Sequence, residues 1–233
     1  RRQRQMCIRD RFYGRTELFA TNDKSSVIRL GGDDVYYATA SFTLTPDPAF
    51  VLYTPGDGNG WDGASSMQLP STDGKNYSGL AYLTGSFKFT TAPNWDGTNY
   101  GAGDAEGELS TDGGAGNLSV TAPGLYWVSV NTSDLTYSMT NIATLGVIGS
   151  LNNWNGDVEM THDDTWTVWT ADVDFPGDGE WKIRANNDWA ISFGTSVDNM
   201  TFNGSNLPDP GAGTYTVTFD ISKVPYTVTC VLK

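Results

Sequence analysis

The chain has 233 residues, of which 38% are hydrophobic and 18% are charged, a balance typical of folded domains and not of disordered chains. Its formal net charge of -13 argues against a nucleic acid as a partner, because proteins that bind phosphate backbones present a basic face. Aromatic residues reach 12% and glycine contributes 27 residues, which favours short strands joined by tight turns. The longest apolar runs, such as residues 49–53, are too short to span a bilayer.

The N-terminal residues differ from the rest of the chain. Residues 1–15 contain six Arg residues, and no apolar run follows them as it would in a secretory signal. The run from Met6 to Arg11 resembles translated adapter sequence found at the ends of metagenomic assemblies. We therefore expect residues 1 to about 11 to be non-native and assign no function to them.

An alternating run at residues 35–45 predicts a strand that ends before Pro46 and Pro48, since proline is not tolerated in a central strand. We interpret residues 1–48 as this suspected start followed by the remnant of a preceding β domain.

Residues 49–140 and 141–233 share an ordered series of landmarks, which indicates a duplicated domain. In each copy a Gly-x-x-Asn-x-Trp motif precedes a Lys between hydrophobic residues, a Trp seven residues after that Lys, an Asn-Leu pair and a Gly-x-Tyr. The matched positions are Gly56 and Gly149, Asn59 and Asn152, Trp61 and Trp154, Lys88 and Lys182, Trp95 and Trp189, Asn117 and Asn206, and Tyr126 and Tyr215.

Both copies are predicted to be all-β, as tandem antiparallel β-sandwich domains of a carbohydrate-binding or immunoglobulin-like kind. The predicted strands are 79–83, 86–90, 124–130 and 135–140 in the first copy, and 166–173, 180–185, 214–220 and 226–231 in the second. Trp166, Trp169 and Trp181 fall in or beside these strands and are predicted to belong to the core.

Two tryptophans in each copy lie in loops rich in Gly, Asn and Asp, where a buried indole would be poorly enclosed. They are Trp61 and Trp95 in the first copy, and Trp154 and Trp189 in the second. The apolar face of a sugar ring stacks on indole, and its hydroxyls accept hydrogen bonds from basic or amide side chains. The loop tryptophans therefore predict a site for a neutral, hydroxyl-rich ligand, and two such sites suit a polymer.

Strand alternation predicts that Lys182 and Arg184 face outward together, whereas the first copy has Lys88 and the short Thr90 at the matched positions. With more hydrogen-bond donors, the second copy is expected to bind more tightly.

The order of these motifs, above all Trp181-Lys-Ile-Arg-Ala-Asn-Asn-Asp-Trp189, resembles the starch-binding domains of SusE/SusF-type outer-membrane lipoproteins of Bacteroidetes. The resemblance covers residues 49–233. It implies lipid-anchored display at the cell surface, an outer-membrane glycan-uptake complex as partner, and non-catalytic binding of malto-oligosaccharide or a related neutral polysaccharide. It implies ligand-binding roles for Trp61, Lys88, Trp95, Asn117, Trp154, Lys182, Arg184, Trp189 and Asn206. Cys7 lacks the preceding apolar run of a lipid-anchor site, so we expect the anchor outside this segment.

Competing readings from other classes are weaker. A glycoside hydrolase needs two placed carboxylates, and no acidic pair repeats within the aromatic motif, so we predict a non-enzyme without cofactor. The run from Asp57 to Asp62 resembles the start of an EF-hand loop, but Gln68 stands where that loop needs Glu, so no metal is predicted.

Two isolated cysteines, Cys7 and Cys230, predict free thiols. The main alternative is a structural or adhesive tandem module whose tryptophans serve packing alone.

Overall fold

The protein is described by a computed structural model that covers residues 50–233 throughout and, in the N-terminal region, the strands at residues 16–20, 25–30 and 36–41. The chain divides into two compact units, Arg1–Pro46 and Asp47–Lys233. The suspected non-native start and Cys7 lie outside the described residues.

The first unit contains a three-stranded antiparallel sheet in the order β1, β2, β3. Its strands are β1 (Thr16–Ala20), β2 (Ser25–Leu30) and β3 (Tyr36–Ser41). The alternating run at residues 35–45 thus contains the strand β3, and its residues 35 and 42–45 lie outside the described residues.

The first copy within the second unit is a set of antiparallel sheets. Its strands are β4 (Phe50–Tyr53), β5 (Gln68–Ser71), β6 (Asn76–Leu83), β7 (Ser86–Phe87), β8 (Phe89–Thr90), β9 (Asn99–Ala102), β10 (Leu109–Ser110), β11 (Leu118–Ser119), β12 (Gly124–Asn131) and β13 (Thr136–Ile142). They form sheets in the orders β10-β9-β8-β4-β5, β13-β12-β6 and β11-β7. Leu52, Leu69, Phe87, Phe89 and Val128 are at the centre of its core.

The second copy repeats this architecture with two larger sheets. Its strands are β14 (Leu145–Gly149), β15 (Val158–Glu159), β16 (Thr161–His162), β17 (Val168–Phe175), β18 (Glu180–Ala185), β19 (Ser192–Ser196), β20 (Asn199–Phe202), β21 (Leu207–Pro208), β22 (Gly213–Asp220) and β23 (Thr227–Leu232). The sheet orders are β15-β14-β18-β19-β20, with β21 also paired to β18, and β16-β17-β22-β23.

Helical structure within the described residues is limited to short 3₁₀ turns at Asp57–Asn59, Gly63–Ser65 and Ser150–Asn152. The predicted all-β fold is therefore confirmed. None of the helical segments in the described part of the chain has the length and apolar character needed to cross a bilayer.

Two predicted strands differ from the observed ones for identifiable reasons. Predicted strand 86–90 is broken at Lys88, whose backbone N–H leaves the ladder and donates to Pro55 O at 2.9 Å. Predicted strand 166–173 begins two residues later, at Val168, because Trp166 is left-handed (φ 61°) in the turn that precedes it. By contrast, predicted strand 180–185 has the same bounds as β18.

The strand tryptophans of the second copy were predicted to belong to the core, and two of them do. Trp169 and Trp181 are 2% and 1% exposed. Trp166 is half-buried at the edge of the core, where its ring stacks on His162 at 3.6 Å and on Tyr82 at 5.3 Å between ring centroids.

The two copies share a hydrophobic interface. Leu80, Leu125 and Trp127, on the outer face of sheet β13-β12-β6, belong to the same buried cluster as the core of the second copy. The Tyr226 hydroxyl accepts a hydrogen bond from Leu80 N at 2.7 Å, and Trp127 stacks on Phe202 with ring centroids 4.6 Å apart. This packing, in addition to the short linker, joins the copies.

Candidate functional site

The Gly-x-x-Asn-x-Trp motif forms the same compact turn in both copies. A Cβ on Gly56 would lie 2.6 Å from Phe87 Cβ, and one on Gly149 would lie 2.7 Å from Trp181 Cα. Glycine is therefore required for the turn to pack directly against the adjacent strand.

The Asn of the motif closes this turn and the Trp ends it. The Oδ1 atoms of Asn59 and Asn152 accept from the N–H groups of Gly56 and Gly149, each at 3.0 Å. The N–H groups of Trp61 and Trp154 donate to the carbonyls of the same glycines at 2.9 and 2.8 Å. The spacing of the motif is thus the length of one closed turn that presents an indole at its end.

Three of the four loop tryptophans have left-handed backbones. The φ angles are 66° at Trp61, 64° at Trp95 and 58° at Trp154. This conformation costs a bulky residue about 1–3 kcal/mol and concentrates at functional sites. Trp166, at the edge of the core, has the same backbone conformation (φ 61°), so this strain accompanies the loop tryptophans and a packed tryptophan alike.

The first tryptophan pair brings together Trp61 and Trp95, whose ring centroids are 6.2 Å apart with planes inclined by 29°. Trp61 Nε1 donates to Asp57 Oδ1 at 2.9 Å, and Asn99 Nδ2 donates to the Trp95 carbonyl at 3.2 Å. Trp95 is 37% exposed. The pair is therefore a braced, partly exposed apolar surface.

The second tryptophan pair brings together Trp154 and Trp189, with ring centroids 5.9 Å apart and planes inclined by 41°. Trp189 is 47% exposed, the larger exposure of the two outer indoles. Its loop is tied to the linker between the copies by Asn186, which accepts from Ala143 N at 2.7 Å and donates to Asn141 O at 2.8 Å.

Arg184 does not face solvent beside Lys182, and this corrects the expectation from strand alternation. It is 7% exposed, because Asp157 pairs with it from one side and Trp189 covers it from another. Arg184 Nε donates to Asp157 Oδ1 at 2.8 Å, Nη2 lies 2.7 Å from the same oxygen, and the guanidinium carbon is 4.5 Å from the centre of the Trp189 ring. Sequence analysis missed Asp157, since nothing in the sequence links it to an Arg 27 residues away.

The two matched lysines have different surroundings. Lys88 Nζ donates to the Ala115 carbonyl at 2.9 Å, so this ammonium holds the chain segment that precedes β11. Lys182 is half-buried and has no hydrogen bond or ion pair among the described residues. Partial burial lowers the pKa of its ammonium. Of the basic side chains in the two motifs, Lys182 is thus the least engaged.

The two matched asparagines lie near the lysines and not on the indoles. Leu118 pairs with Phe87 and Leu207 pairs with Trp181, so Asn117 and Asn206 stand one position beyond these pairs, beside Lys88 and Lys182. Asn206 Nδ2 donates to Glu180 Oε2 at 2.9 Å. Both asparagines are exposed at the strand ends.

A cavity of about 370 Å³ adjoins the first tryptophan pair. That volume falls in the range of small-ligand sites. The cavity is lined by Lys88, Trp95, Gly97, Thr98, Asn99, Thr111, Asp112 and Gly113. Its lining combines one indole with hydroxyl, amide, ammonium and carboxylate groups, the set of partners that a polyhydroxylated ring can use.

The acidic loop residues serve the turn. Asp57 accepts from Trp61 Nε1 with one oxygen and from Ser86 N with the other, so it holds the indole of Trp61 against β7. We call each tryptophan pair a platform. Among the described residues, no three His, Cys, Asp or Glu side chains are grouped to hold a metal ion. Cys230 is a free thiol whose pKa burial raises to about 11.

Comparisons with known proteins identify a similar family and a similar solved structure. Residues 51–138 match the family described as SusF/SusE starch specific CBMs, that is, carbohydrate-binding modules. Among solved structures, the crystal structure of SusF from Bacteroides thetaiotaomicron is similar, with 17% identity and a TM-score of 0.33. The alignment covers 94% of this chain and 58% of that one, so this chain spans little more than half the length of that relative. No curated protein matches.

The family is one of binding modules without catalytic activity, in agreement with the predicted non-enzyme. Residues 51–138, which carry the first tryptophan pair, match the SusF/SusE family of starch-specific carbohydrate-binding modules, and the family resemblance predicted from the sequence is confirmed.

Proposed function

We propose that the chain captures starch or a related neutral α-glucan at two sites, each built on one tryptophan pair. The observation that carries this proposal is the recurrence of the pair. The same closed turn delivers Trp61 and Trp154, and a second loop places another indole about 6 Å away in both copies. A module that used tryptophan for packing alone has no need to leave the outer indoles, Trp95 and Trp189, 37% and 47% exposed.

Stacking supplies most of the contact in this proposal, and polar groups orient the sugar. A glucose ring places its apolar face on an indole, and its hydroxyls then reach side chains at the rim. In the first site these are Thr98, Asn99 and Asp112; in the second they are Lys182 and Asn206. An acidic protein is compatible with such a ligand because a neutral sugar is not repelled.

Arg184 has a supporting role in this proposal. With its guanidinium between Asp157 and the face of Trp189, it fixes the ring orientation from below. We assign it to positioning of the platform, and we leave hydroxyl recognition at the second site to Lys182.

The proposed location is the cell surface of a Bacteroidetes outer membrane, within a glycan-uptake complex. The match of residues 51–138 to the SusF/SusE family supports this placement.

Affinity electrophoresis of the full chain tests the function. Gels containing starch, pullulan, xylan, mannan, laminarin or pectin separate an α-glucan binder from a general polysaccharide binder. Retardation by starch and pullulan alone is the expected result. Unchanged mobility in every gel would favour the structural or adhesive module. A reducing-end assay on the same protein should show no release of sugar.

A further inference from the structure

The two tryptophan-pair sites differ in the chain segment that lies across from the outer indole, which is Trp95 in the first copy and Trp189 in the second. In the first copy Gly101 packs against Gly116 O, and Ala102 N donates to that carbonyl at 2.9 Å. In the second copy Gly194 packs against Ser205 O, and Thr195 N donates to it at 2.8 Å. Gly101 pairs with Ser110 and Gly194 pairs with Thr201, so these positions correspond, as do Gly116 and Ser205. Five residues (111–115) separate Ser110 from Gly116, whereas three (202–204, of which Phe202 ends β20) separate Thr201 from Ser205.

The longer connection is ordered by its own hydrogen bonds and by Lys88. Asp112 Oδ1 accepts from Gly114 N at 2.7 Å, and Ala115 N donates to Asp112 O at 2.9 Å. Lys88 Nζ then holds the Ala115 carbonyl at 2.9 Å. The ammonium of Lys88 is thus used for a backbone contact that fixes this loop.

The loop forms one side of the cavity beside Trp95. Besides Lys88, two chain segments bound that cavity: Trp95 with residues 97–99, and Thr111 with Asp112 and Gly113. A sugar on the Trp95 indole therefore meets a second wall, whereas the corresponding connection in the second copy is two residues shorter.

We propose that Lys88 is a positioning residue that holds loop 111–115 as a second wall of the first site, and that this wall restricts the first site to unbranched stretches of glucan. This inference rests on the proposed glycan binding. An α-1,6 branch adds a second chain to a sugar and needs lateral room, which a two-walled cleft does not offer. The second site, with its shorter connection, accepts linear and branched segments alike.

The experiment uses the full chain with the second site removed by Trp154→Ala and Trp189→Ala. Calorimetric titration compares maltohexaose with a branched isomer of six glucose units, in which one glucose carries both an α-1,4 and an α-1,6 linked chain. We expect the linear sugar to bind at least about tenfold more tightly, a difference of about 1.4 kcal/mol. Deletion of Gly113 and Gly114, or Lys88→Met, should reduce that ratio to below about threefold.

Other results would overturn the inference in separable ways. Equal affinities for the two sugars in the parent would refute the wall and leave the glycan function intact. If Lys88 were instead a direct donor, Lys88→Met would weaken both sugars with an unchanged ratio, and the deletion would not reproduce its effect. No binding of either sugar would refute both proposals for the first site.

A measurement without ligand tests the anchor itself. Loss of the Lys88 contact should speed amide hydrogen exchange in residues 111–116, and leave exchange in β12 unchanged. Unchanged exchange in the loop would contradict the positioning role.

Discussion

The guanidinium of Arg184 lies under the ring of Trp189, 4.5 Å from its centre, and is only 7% exposed. A cation that the sequence pattern assigns to solvent is thus part of the support for the platform. Its partner Asp157 has a side chain only 4% exposed, so the ion pair is shielded from water. The stability of the second site therefore depends on a pair that no ligand needs to touch.

Asp157→Ala should lower the free energy of unfolding by about 3–5 kcal/mol, because it leaves the Arg184 charge buried without a partner. Adding Arg184→Met should restore most of that loss, since an apolar side chain of similar length fills the same space. Chemical denaturation of the two variants measures the difference. A single variant as stable as the wild type would mean that water solvates this pair.

The interface between the copies should depend on the Tyr226 hydroxyl. Burial strongly raises the pKa of Tyr226, and its oxygen is the acceptor for Leu80 N. Tyr226→Phe leaves that buried N–H without a partner, at a cost of about 1–3 kcal/mol. Tyr215→Phe is the matched control, because the Tyr215 hydroxyl makes only a long, exposed contact at 3.4 Å. Equal stability of the two variants in denaturant titrations would contradict the predicted role of the contact.

Backbone strain at the platforms gives a prediction about glycine. At Trp95, with φ 64°, replacement by glycine should leave the protein about 1–2 kcal/mol more stable than replacement by alanine, because only glycine adopts this region without strain. At Trp189, which is not among the left-handed residues, the order should reverse, since glycine has the more flexible unfolded chain. Thermal melts of the four variants give both comparisons. The same order at both positions would contradict the strain argument.

The pH dependence of stability should include a contribution from Asp73. Its carboxylate accepts from Lys75 N, Asn76 N, Asn76 Nδ2 and Ser71 Oγ, and these bonds, led by those from Asn76, hold the pKa of Asp73 well below its ordinary value of 3.8. Because the folded pKa is lowered, the stabilisation is present above pH 3.8 and is lost as the pH falls towards the folded pKa. Asp73→Asn should therefore lower Tm at pH 7 by more than it does at pH 2.5.

Asp178→Asn serves as the control for that measurement. Asp178 is exposed and has no hydrogen bond among the described residues, so its replacement changes the charge alone. A Tm difference for Asp73→Asn that does not vary with pH would show that the turn does not depend on the charge.

Local sequence patterns were sufficient to predict the all-β fold and the positions of the loop tryptophans. Trp61 and Trp154 follow from a motif whose every bond lies within a few residues, and alternation correctly placed Trp181 and Ile183 of β18 in the core. Strands such as β10 and β11 escaped prediction because two residues are too few to show alternation, and β14 escaped it because all five of its residues are buried.

The side-chain partners of the site residues could not be predicted from local sequence patterns. Lys88 meets Ala115, Arg184 meets Asp157 and Leu80 meets Tyr226, each across 27 or more residues of chain. Such contacts arise from strand pairing and from the packing of one copy on the other, and alternation specifies only the face of a strand. Alternation could not show that Trp189 and Asp157 would cover the outward face at Arg184.

The most direct test of the central claim, that each tryptophan pair is a glycan site, is the stoichiometry of maltoheptaose binding by calorimetry. The account predicts two sites on the wild-type chain and one on the variant Trp61→Ala/Trp95→Ala. It also predicts one site on Trp154→Ala/Trp189→Ala, none when all four are replaced, and near-native melting of every variant. A wild-type stoichiometry that survives replacement of both pairs in folded protein would contradict the account.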